Sequence, residues 1–289
     1  MSRLRVTSGE GATFRSAGRR LAPRQIPSLS GPIPLKEVVG AQDDRGKADL
    51  HIHTSFSDGM ADVPELLDYV ESETDLDIIG IVDHDDVRGA LAARDQWAKR
   101  SYRFELVTGI EVTAIEGHLL ALYVDEPMES LRPLERVVED VHRQGGLCVV
   151  PHPMSWLTRS IGEQTLRGFV GSLDGIEVAC CSPAARVSNG RAAALNRLLE
   201  MAELGGSDAH FLQAVGSAYT QFEGRSAADL KRAITARTTR AVYGAPVDWR
   251  SIGVRQMARQ TWRGICATPR AMGLGPTARS FVRRIFRSR

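Results

Sequence analysis

Two histidines that alternate along one short stretch are the first candidates for chemistry. His51 and His53 are separated by Ile52, and Asp58 follows five residues after His53. Alternate residues of a β-strand point to the same face, so both imidazoles share one side if this stretch is a strand. Two imidazoles and a carboxylate at a strand end are suitable ligands for a divalent cation. The alternative is a buried strand that happens to carry two histidines, and the positions of the other histidines weigh against it.

The elements that must position these residues alternate between strand and helix. Ala48–His53 and the apolar run Asp77–Asp83 are predicted strands, and Val63–Glu73 and Val87–Arg100 are predicted helices. The alternation continues to Ala236, which favours parallel strands covered by helices. About seven such units are enough to close a barrel, in which the ends of the strands meet on one rim. No glycine-rich nucleotide-binding motif follows the first strand, so a nucleotide cofactor fold is not expected.

Six of the seven histidines fall at or just beyond the end of a predicted strand, and carboxylates accompany them. The residues are His51, His53, His84, His118, His152 and His210, with Asp58, Asp83, Glu111 and Asp208. Because the strand ends of a parallel barrel share one rim, we predict a site for several metal ions there. The remaining histidine, His142, falls within a predicted helix and is read as structural or exposed.

An ordered set of motifs resembles the four-motif signature of the PHP superfamily, named for polymerase and histidinol phosphatase. The residues that carry the resemblance are His51-Ile-His53, Asp83-His84, Glu111, Pro151-His152-Pro153 and Gly206-Ser-Asp208-Ala-His210. Two further segments, Ser57-Asp58-Gly59 and Asp83-His84-Asp85, are closer to the branch of bacterial nucleoside-bisphosphate phosphatases and 5′–3′ exonucleases. The resemblance covers residues 47–245. It implies an α/β fold, a distorted (β/α)7 TIM-like barrel that holds up to three metal ions.

By position, the resemblance also implies a ligand for each ion. The implied ligands are His51, His53, Glu111 and Asp208 for the first ion, Glu111, His118 and His152 for the second, and Asp58, His84 and His210 for the third. Glu111, Asp208 and His210 are the implied catalytic residues. Two or three divalent ions of Mn, Zn or Fe fit such ligands, whose types do not choose among these metals. Asp83 either orients a ligating imidazole or caps the end of its strand.

The implied activity is that of a metal-dependent phosphoesterase. A bridging carboxylate keeps two cations close enough to share a hydroxide, which attacks the phosphate ester. The predicted substrate is a small phosphorylated molecule, a nucleotide or the 5′ end of an oligonucleotide, and the sequence leaves phosphatase and exonuclease both open. Arg159 and Arg186 are candidates for substrate binding, with a surface role as the alternative for each. The short segment between His84 and Glu111 lacks the helical insertion of nucleoside-bisphosphate phosphatases, which predicts a compact, open site.

Two other functions remain open at this point. The same bridged hydroxide attacks carbonyl groups, so a hydrolase of a non-phosphate ester or amide is one alternative. The other is a catalytically silent, metal-stabilised module whose basic tails bind membrane or nucleic acid.

The net charge of +2 hides an uneven distribution along the chain. Residues 1–47 carry +5, residues 48–245 carry −12 and residues 246–289 carry +9. We expect residues 1–46, rich in Gly, Ser, Pro and Arg, to form a mostly disordered leader. The barrel is assigned to 47–245 and a basic amphipathic tail to 246–289.

The tail combines an apolar stripe with a row of arginines at helical spacing. The stripe consists of Val254, Met257, Ala258 and Ile265, and the row of Arg255, Arg259 and Arg263. Such a helix binds an anionic membrane surface or nucleic acid phosphates, or it packs its apolar stripe on the barrel and leaves its arginines in solvent. Of these interpretations, packing of the apolar stripe on the barrel is the preferred one.

Composition narrows the class of protein and its compartment. A hydrophobic content of 43% and a charged content of 25% are ordinary for a globular protein. There is no run of about 18 apolar residues that could span a membrane, and no secretory signal is expected. The four cysteines show no zinc-type spacing, so reduced thiols in the cytoplasm are the simplest interpretation, with peripheral attachment to the membrane through the tail as an addition. The oligomeric state is not predicted.

Overall fold

The computed structural model describes residues 45–268. Within this range, nine strands form one sheet, and eight α-helices join or cover them. The strands are β1 (Arg45–Ile52), β2 (Ile78–Ile81), β3 (Glu105–Thr113), β4 (His118–Leu122), β5 (Leu147–Val150), β6 (Gly175–Cys180), β7 (Ala202–Gly206), β8 (Ala218–Glu223) and β9 (Arg240–Tyr243). The helices are α1 (Val63–Glu73), α2 (Arg88–Trp97), α3 (Leu134–Arg143), α4 (Glu163–Phe169), α5 (Asn189–Leu199), α6 (Ala227–Thr235), α7 (Trp249–Ile252) and α8 (Val254–Ala267).

Seven strands follow one another in chain order around a barrel. The sheet runs β7-β6-β5-β4-β3-β2-β1-β8-β9. The two ends of the seven-stranded part meet where Ile52 pairs with Ala209, just beyond β7. At this seam the amide of His53 donates to the carbonyl of Ala209 at 2.9 Å, and the amide of Ala209 donates to the carbonyl of His51 at 3.0 Å. The predicted distorted seven-stranded α/β barrel is therefore confirmed.

Some strands depart from the expected parallel arrangement. β4 runs antiparallel to both β3 and β5. Only residues 114–117 separate β3 from β4, and a parallel connection needs a crossover of about a dozen residues, so the chain turns back as a hairpin. β8 and β9, which the sequence did not reveal, extend the sheet with β8 antiparallel to the first half of β1.

Apolar clusters on the sheet hold the helices in place. α1 buries Val63, Leu66, Leu67 and Val70 against β1, β2 and α2. Its start is fixed by a capping box, in which the carboxylate of Asp62 accepts from the first turn. Each of these side chains contributes about 1.5–3 kcal/mol on burial. A second cluster packs α3, α4 and α5 on β3 to β6, and a third joins α6 to the sheet. The helices therefore fix the strands whose ends carry the histidines.

The described residues include only the end of the predicted leader and the first part of the predicted tail. β1 begins at Arg45, two residues inside the predicted leader, because these residues pair with β8. Residues 1–44 of the leader and residues 269–289 of the tail lie outside the described residues. The division into leader, barrel and tail stays a prediction.

Membrane-spanning helices and disulfide bonds are both absent from the described residues. No helix within residues 45–268 combines the length and the apolar character that a membrane span needs. All four cysteines, which include Cys148 and Cys180 in the core and Cys266 on the surface, are free.

Candidate metal centre

The strand ends bring all nine predicted ligand residues to one cluster. They are His51 and His53 at the end of β1, Asp58 in the loop that follows, His84 after β2, Glu111 on β3, His118 at the start of β4, His152 after β5, and Asp208 and His210 after β7. Seven of the nine are buried, and only His84 and His210 are partly exposed. The role of each residue as a ligand stays a prediction, but the structure places them side by side.

Glu111 lies at the centre of this cluster and is completely buried. Its Oε2 atom is 3.4 Å from Nε2 of His51 and 3.3 Å from Nε2 of His53. Its Oε1 atom is 2.8 Å from Nδ1 of His118 and 3.1 Å from Nε2 of His152. Nδ1 of His84 also lies 3.1 Å from Oε2, so Oε2 faces three imidazoles and Oε1 faces two. The two oxygens of one carboxylate therefore face separate sets of imidazoles, the arrangement that a bridging ligand requires.

Asp208 completes the first group of candidate ligands. Its Oδ1 atom is 3.4 Å from Nε2 of both His51 and His53, so two imidazoles lie between Asp208 and Glu111. A third group forms around Asp58. Oδ1 of Asp58 is 3.2 Å from Nε2 of His210 and 3.7 Å from Nε2 of His84. These groups overlap, because Nδ1 of His84 also lies 3.1 Å from Oε2 of Glu111, and the assignment of ligands to separate ions stays a prediction.

Several buried polar atoms of the cluster have no hydrogen-bond partner within the described residues, which tests whether metal ions fit. They are Nδ1 and Nε2 of His53, Nδ1 of His84, Nδ1 and Nε2 of His118, and Oδ1 of Asp58. Buried polar groups are almost always satisfied, and leaving them unsatisfied is costly. Nitrogen and carboxylate oxygen are ligands for Mn, Fe and Zn. The residues therefore fit divalent metal ions.

The hydrogen bonds of three rings determine which nitrogen each presents to the cluster. Nδ1 of His51 donates to Glu177 at 2.9 Å, and Nδ1 of His210 donates to the carbonyl of Asp208 at 3.0 Å. Nδ1 of His152 lies 3.1 Å from the hydroxyl of Ser160. With Nδ1 occupied, the lone pair of Nε2 is available in each neutral ring, and outer partners of this kind orient ligands in known metal sites.

The electrostatics of the metal-free cluster are strongly coupled. Burial alone would raise the pKa of Glu111, but the rings of His118, His84 and His51 hold it well below its usual range. Burial likewise opposes ionisation of Asp208, yet His51 and His53 hold its pKa well below the ordinary value. Both carboxylates are therefore ionised at neutral pH and ready to bind cations.

Glu177 on β6 is a site residue that the sequence analysis missed. Its Oε1 atom accepts from Nδ1 of His51 at 2.9 Å, and its Oε2 atom accepts from the amide of His152 at 2.9 Å. A signal for it exists, because the tetrapeptide Gly-Ile-Glu-Val occurs twice, at Gly109–Val112 and at Gly175–Val178. Each copy delivers one buried glutamate to the same cluster.

Asp49, also missed, fixes the loop that carries Asp208. Its buried carboxylate accepts from the amides of Ser207 at 3.0 Å and Gly216 at 2.8 Å, and burial raises its pKa to about 6. Asp208 itself has a φ of +53°, a left-handed conformation that is costly for a residue with a side chain. The hydrogen bonds of Asp49 and the seam at Ala209 on either side of Asp208 hold it there.

Asp83 does not orient an imidazole through a hydrogen bond. Its carboxylate accepts from the amide of Thr54 at 2.8 Å and from the hydroxyls of Thr54 and Ser57, both at 2.6 Å. The end of β2 lies beside the loop that leads to Asp58, so the nearest donors are the hydroxyls of that loop. Asp83 therefore anchors the loop that delivers Asp58.

The structure gives neither predicted substrate-binding arginine a place in the cavity beside the cluster. The guanidinium of Arg159 donates to the carbonyls of Ala114 at 2.8 Å and Ile115 at 3.1 Å, and its own carbonyl accepts from the amide of His118 at 3.0 Å. Arg159 therefore holds the hairpin that carries His118. Arg186 is exposed in a short 3-10 turn after β6.

A cavity of about 350 Å³ opens beside the cluster. Besides candidate ligands, Leu157, Phe211, Trp249 and Met257 contribute apolar surface to its wall. None of the described side chains that line it belongs to Lys or Arg. The cavity has room for a small molecule with an apolar or planar portion.

Part of this wall comes from α8, the second of two helices that lie within the described part of the predicted tail. Val254 of the predicted apolar stripe is 79% exposed and makes no part of the cavity wall. Met257 of the same stripe lines the cavity, together with Gln260 and Thr261. Packing of α8 was expected, but only part of the apolar stripe takes part in it, and the contact is with the site.

Comparisons with known proteins find one matching family model and two proteins of similar sequence. Residues 186–239 match the PHP-associated family model PHP_C. An uncharacterized protein of Methanocaldococcus jannaschii is 30% identical over 142 residues, which cover 46% of this chain and 80% of that protein. The 5′–3′ exoribonuclease Rnm of Salmonella typhimurium is 31% identical over 88 residues, 29% of this chain and 30% of that enzyme.

A solved structure shows the same fold. It is a two-domain Bacteroides vulgatus protein described as containing a PHP-like metal-dependent phosphoesterase. It is 21% identical, with a TM-score of 0.57, and the match covers 76% of this chain and 71% of that one. The barrel, the ordered histidine and carboxylate motifs and these matches define a PHP-type protein. The chain belongs to the PHP superfamily.

Proposed function

We propose that this protein is a metal-dependent phosphoesterase that hydrolyses phosphate esters of nucleotides or of nucleic acid 5′ ends. The observation that carries the proposal is the position of Glu111, whose two carboxylate oxygens face separate sets of imidazoles: His51, His53 and His84 at Oε2, and His118 and His152 at Oε1. Two cations that share one carboxylate are characteristic of phosphoester hydrolysis. The likeness to the Bacteroides fold and to part of the Salmonella exoribonuclease supports the same reaction class.

The chain itself supplies the positions of the reacting groups. His51, His53 and His84 lie beside Oε2 of Glu111, and His118 and His152 lie beside Oε1. Asp208 lies beside His51 and His53. When bound, divalent ions supply Lewis acidity at the phosphoryl oxygens and activate a water molecule as the nucleophile. Glu111 and Asp208 hold the negative charge that retains the ions. His210, next to Asp208, is partly exposed and lines the cavity.

The cavity supports a substrate with a planar or apolar group beside its phosphate. Phe211 and Trp249 line it and offer aromatic faces, on which a nucleobase can stack. A second cleft of about 840 Å³ shares Phe211 with the cavity. Arg255 and Arg259, one helical turn apart and both exposed, line this second cleft. Phosphates beyond the scissile one would find these guanidinium groups next to the mouth of the cavity.

The proposal is tested by Mn²⁺-dependent phosphate release from a panel of substrates. The panel contains an aryl phosphate, a nucleoside 5′-monophosphate, a nucleoside 3′,5′-bisphosphate and a short 5′-phosphorylated oligonucleotide. We expect turnover that is lost in Glu111→Gln and retained in Glu203→Gln, a partly exposed glutamate on β7. Absence of turnover on every member, with Mn²⁺ shown to be bound, would overturn the proposal. The preferred member decides between a phosphatase and an exonuclease.

One observation favours a second candidate, a hydrolase of a non-phosphate ester or amide. The cavity wall has no Lys or Arg among its described residues, and such a cation commonly accompanies a phosphate site. An aryl acetate and an N-acetylated amide added to the panel separate the two functions. Faster hydrolysis of these carbonyl compounds than of every phosphate ester would establish the alternative.

The predicted binding of an anionic membrane or of nucleic acid by the tail stays a proposal, as does the cytoplasmic location. Vesicles with and without anionic lipid, and labelled oligonucleotides, test the tail by co-sedimentation and fluorescence anisotropy. Loss of binding on deletion of residues 269–289 would support it.

A further inference from the structure

α8 makes a direct contact with the candidate ligand Asp58. Nε2 of Gln260 donates to Oδ2 of Asp58 at 3.2 Å. The other oxygen of this carboxylate, Oδ1, faces His210 at 3.2 Å and His84 at 3.7 Å. The two oxygens are thus divided: one faces the imidazoles and the other is held by the helix. Only one orientation of the carboxylate satisfies both sides.

A second side chain of α8 holds the loop that leads to Asp58. The guanidinium of Arg263 donates to the carbonyls of Ser55 at 2.8 Å and Ser57 at 3.1 Å. On the barrel side, Asp83 binds the amide and hydroxyl of Thr54 and the hydroxyl of Ser57. The loop is therefore clamped between a carboxylate of the barrel and a guanidinium of α8.

These contacts are not ordinary packing of an amphipathic helix. The large apolar side chains of α8 are mostly exposed, with Trp262 at 66% and Val254 at 79%. The helix instead contacts the site through an amide and a guanidinium, each directed at an oxygen of residues 55–58. Hydrogen bonds to the non-coordinating atoms of metal ligands orient those ligands and strengthen metal binding.

We propose that Gln260 and Arg263 are positioning residues of the active site, which act on the third metal position through Asp58. This inference rests on the proposed function for its catalytic consequence, but not for its effect on metal binding. Gln260 fixes the rotation of the carboxylate, and Arg263 fixes the backbone that carries it. The basic segment after residue 246 thus contributes to the site through α8.

The test measures Mn²⁺ binding by isothermal titration calorimetry on the full-length chain, without any substrate. The variants are Gln260→Ala and Gln260→Glu, with Gln256→Ala as the matched control on the same helix, one turn earlier and exposed. Alanine is a better helix former than glutamine, so folding of α8 is not at risk. We expect Gln260→Ala to weaken the weakest bound Mn²⁺ by 10- to 100-fold and to leave the tighter ions unchanged. Gln260→Glu adds a like charge beside Asp58 and should weaken the same site at least as much.

A second measurement, amide hydrogen exchange without added metal, tests Arg263. In Arg263→Gln we expect faster amide hydrogen exchange in residues 54–59 than in the control, together with weaker binding of the same Mn²⁺. Equal Mn²⁺ affinities in Gln260→Ala and Gln256→Ala, or unchanged exchange in Arg263→Gln, would overturn the inference. Because these readouts need no turnover, they stay informative if the protein proves not to be a phosphoesterase.

Discussion

Glu177→Gln is the substitution that most sharply tests how the cluster is held. Glu177 is buried, with only 2% of its surface exposed, and uses each carboxylate oxygen for one donor, the ring of His51 and the amide of His152. Glutamine has the same shape but only one acceptor oxygen, and its amide group is a donor. If His51 keeps its proton on Nδ1, one of the two donors must face another donor, whichever way the amide is flipped. If His51 instead accepts at Nδ1, its proton moves to Nε2, the nitrogen that faces Glu111 and Asp208.

The expected magnitude follows from these two contacts. A hydrogen bond to a charged group contributes about 1.5–3 kcal/mol, and a buried donor left unsatisfied costs about 1–3 kcal/mol. We expect the metal-free variant to lose about 2–3 kcal/mol of unfolding free energy. We also expect metal affinity to fall by about 10- to 100-fold, because His51 loses the partner that fixes its orientation.

The assay combines Mn²⁺ titration with urea unfolding, and with turnover once a substrate is known. Glu203→Gln on β7, the neighbouring strand, is the control, because it removes one negative charge from a partly exposed position. If Glu177→Gln binds Mn²⁺ as tightly as the wild type, the role assigned to Glu177 is refuted. The same holds if the loss of binding only follows the fraction of unfolded protein.

Three further predictions concern the cluster and its surroundings. Gly206→Ala should destabilise the protein and lower metal affinity, because a Cβ at this position would lie 2.2 Å from Oε1 of Glu177; differential scanning calorimetry with and without Mn²⁺ measures both effects, and an unchanged melting temperature would contradict the close packing. Metal affinity should rise with pH below about pH 10: burial lowers the pKa of His210, but Asp58 raises it to about 10, and the ring must lose this proton to bind an ion. Calorimetry in two buffers of different ionisation enthalpy should then show proton release at pH 7–9, whereas equal enthalpies would disagree with it. A thiol reagent should modify Cys266 first, since it alone of the four cysteines is exposed, and the two buried thiols only on unfolding; rapid modification of all four would contradict the described core.

Much of the candidate site could be predicted from the sequence because its residues occur at strand ends. An alternating pair such as His51 and His53 defines one face of a strand without any knowledge of the partner strands. Parallel strands then bring distant ends to one rim, so that Glu111 and Asp208 were expected near this pair although they are far away in the chain. The confirmed barrel and the observed cluster both follow from this periodicity.

The remainder depends on contacts that no local pattern encodes. Gln260 contacts Asp58 across 202 positions of the chain, and the apolar stripe predicted for α8 did not include Gln260. Arg159 was a candidate for substrate binding, but its guanidinium donates to two carbonyls of the β3–β4 hairpin. Only the folded chain brings these carbonyls near Arg159. The alternation of strands and helices favoured parallel strands throughout, but no helix separates β3 from β4, and the short turn between them makes β4 antiparallel.

The seam between Ile52 and Ala209 has a consequence for how the site forms and how it opens. His51 and His53 flank Ile52 on one side of the seam, and Asp208 and His210 flank Ala209 on the other. Four of the nine candidate ligands therefore come together only when two segments more than 150 residues apart in the chain have docked, a contact that is slow to form during folding. Ions shared between the two segments would then act as a clasp across this seam. Chelation should first be seen as faster hydrogen exchange at the amides of His53 and Ala209, before any global loss of structure.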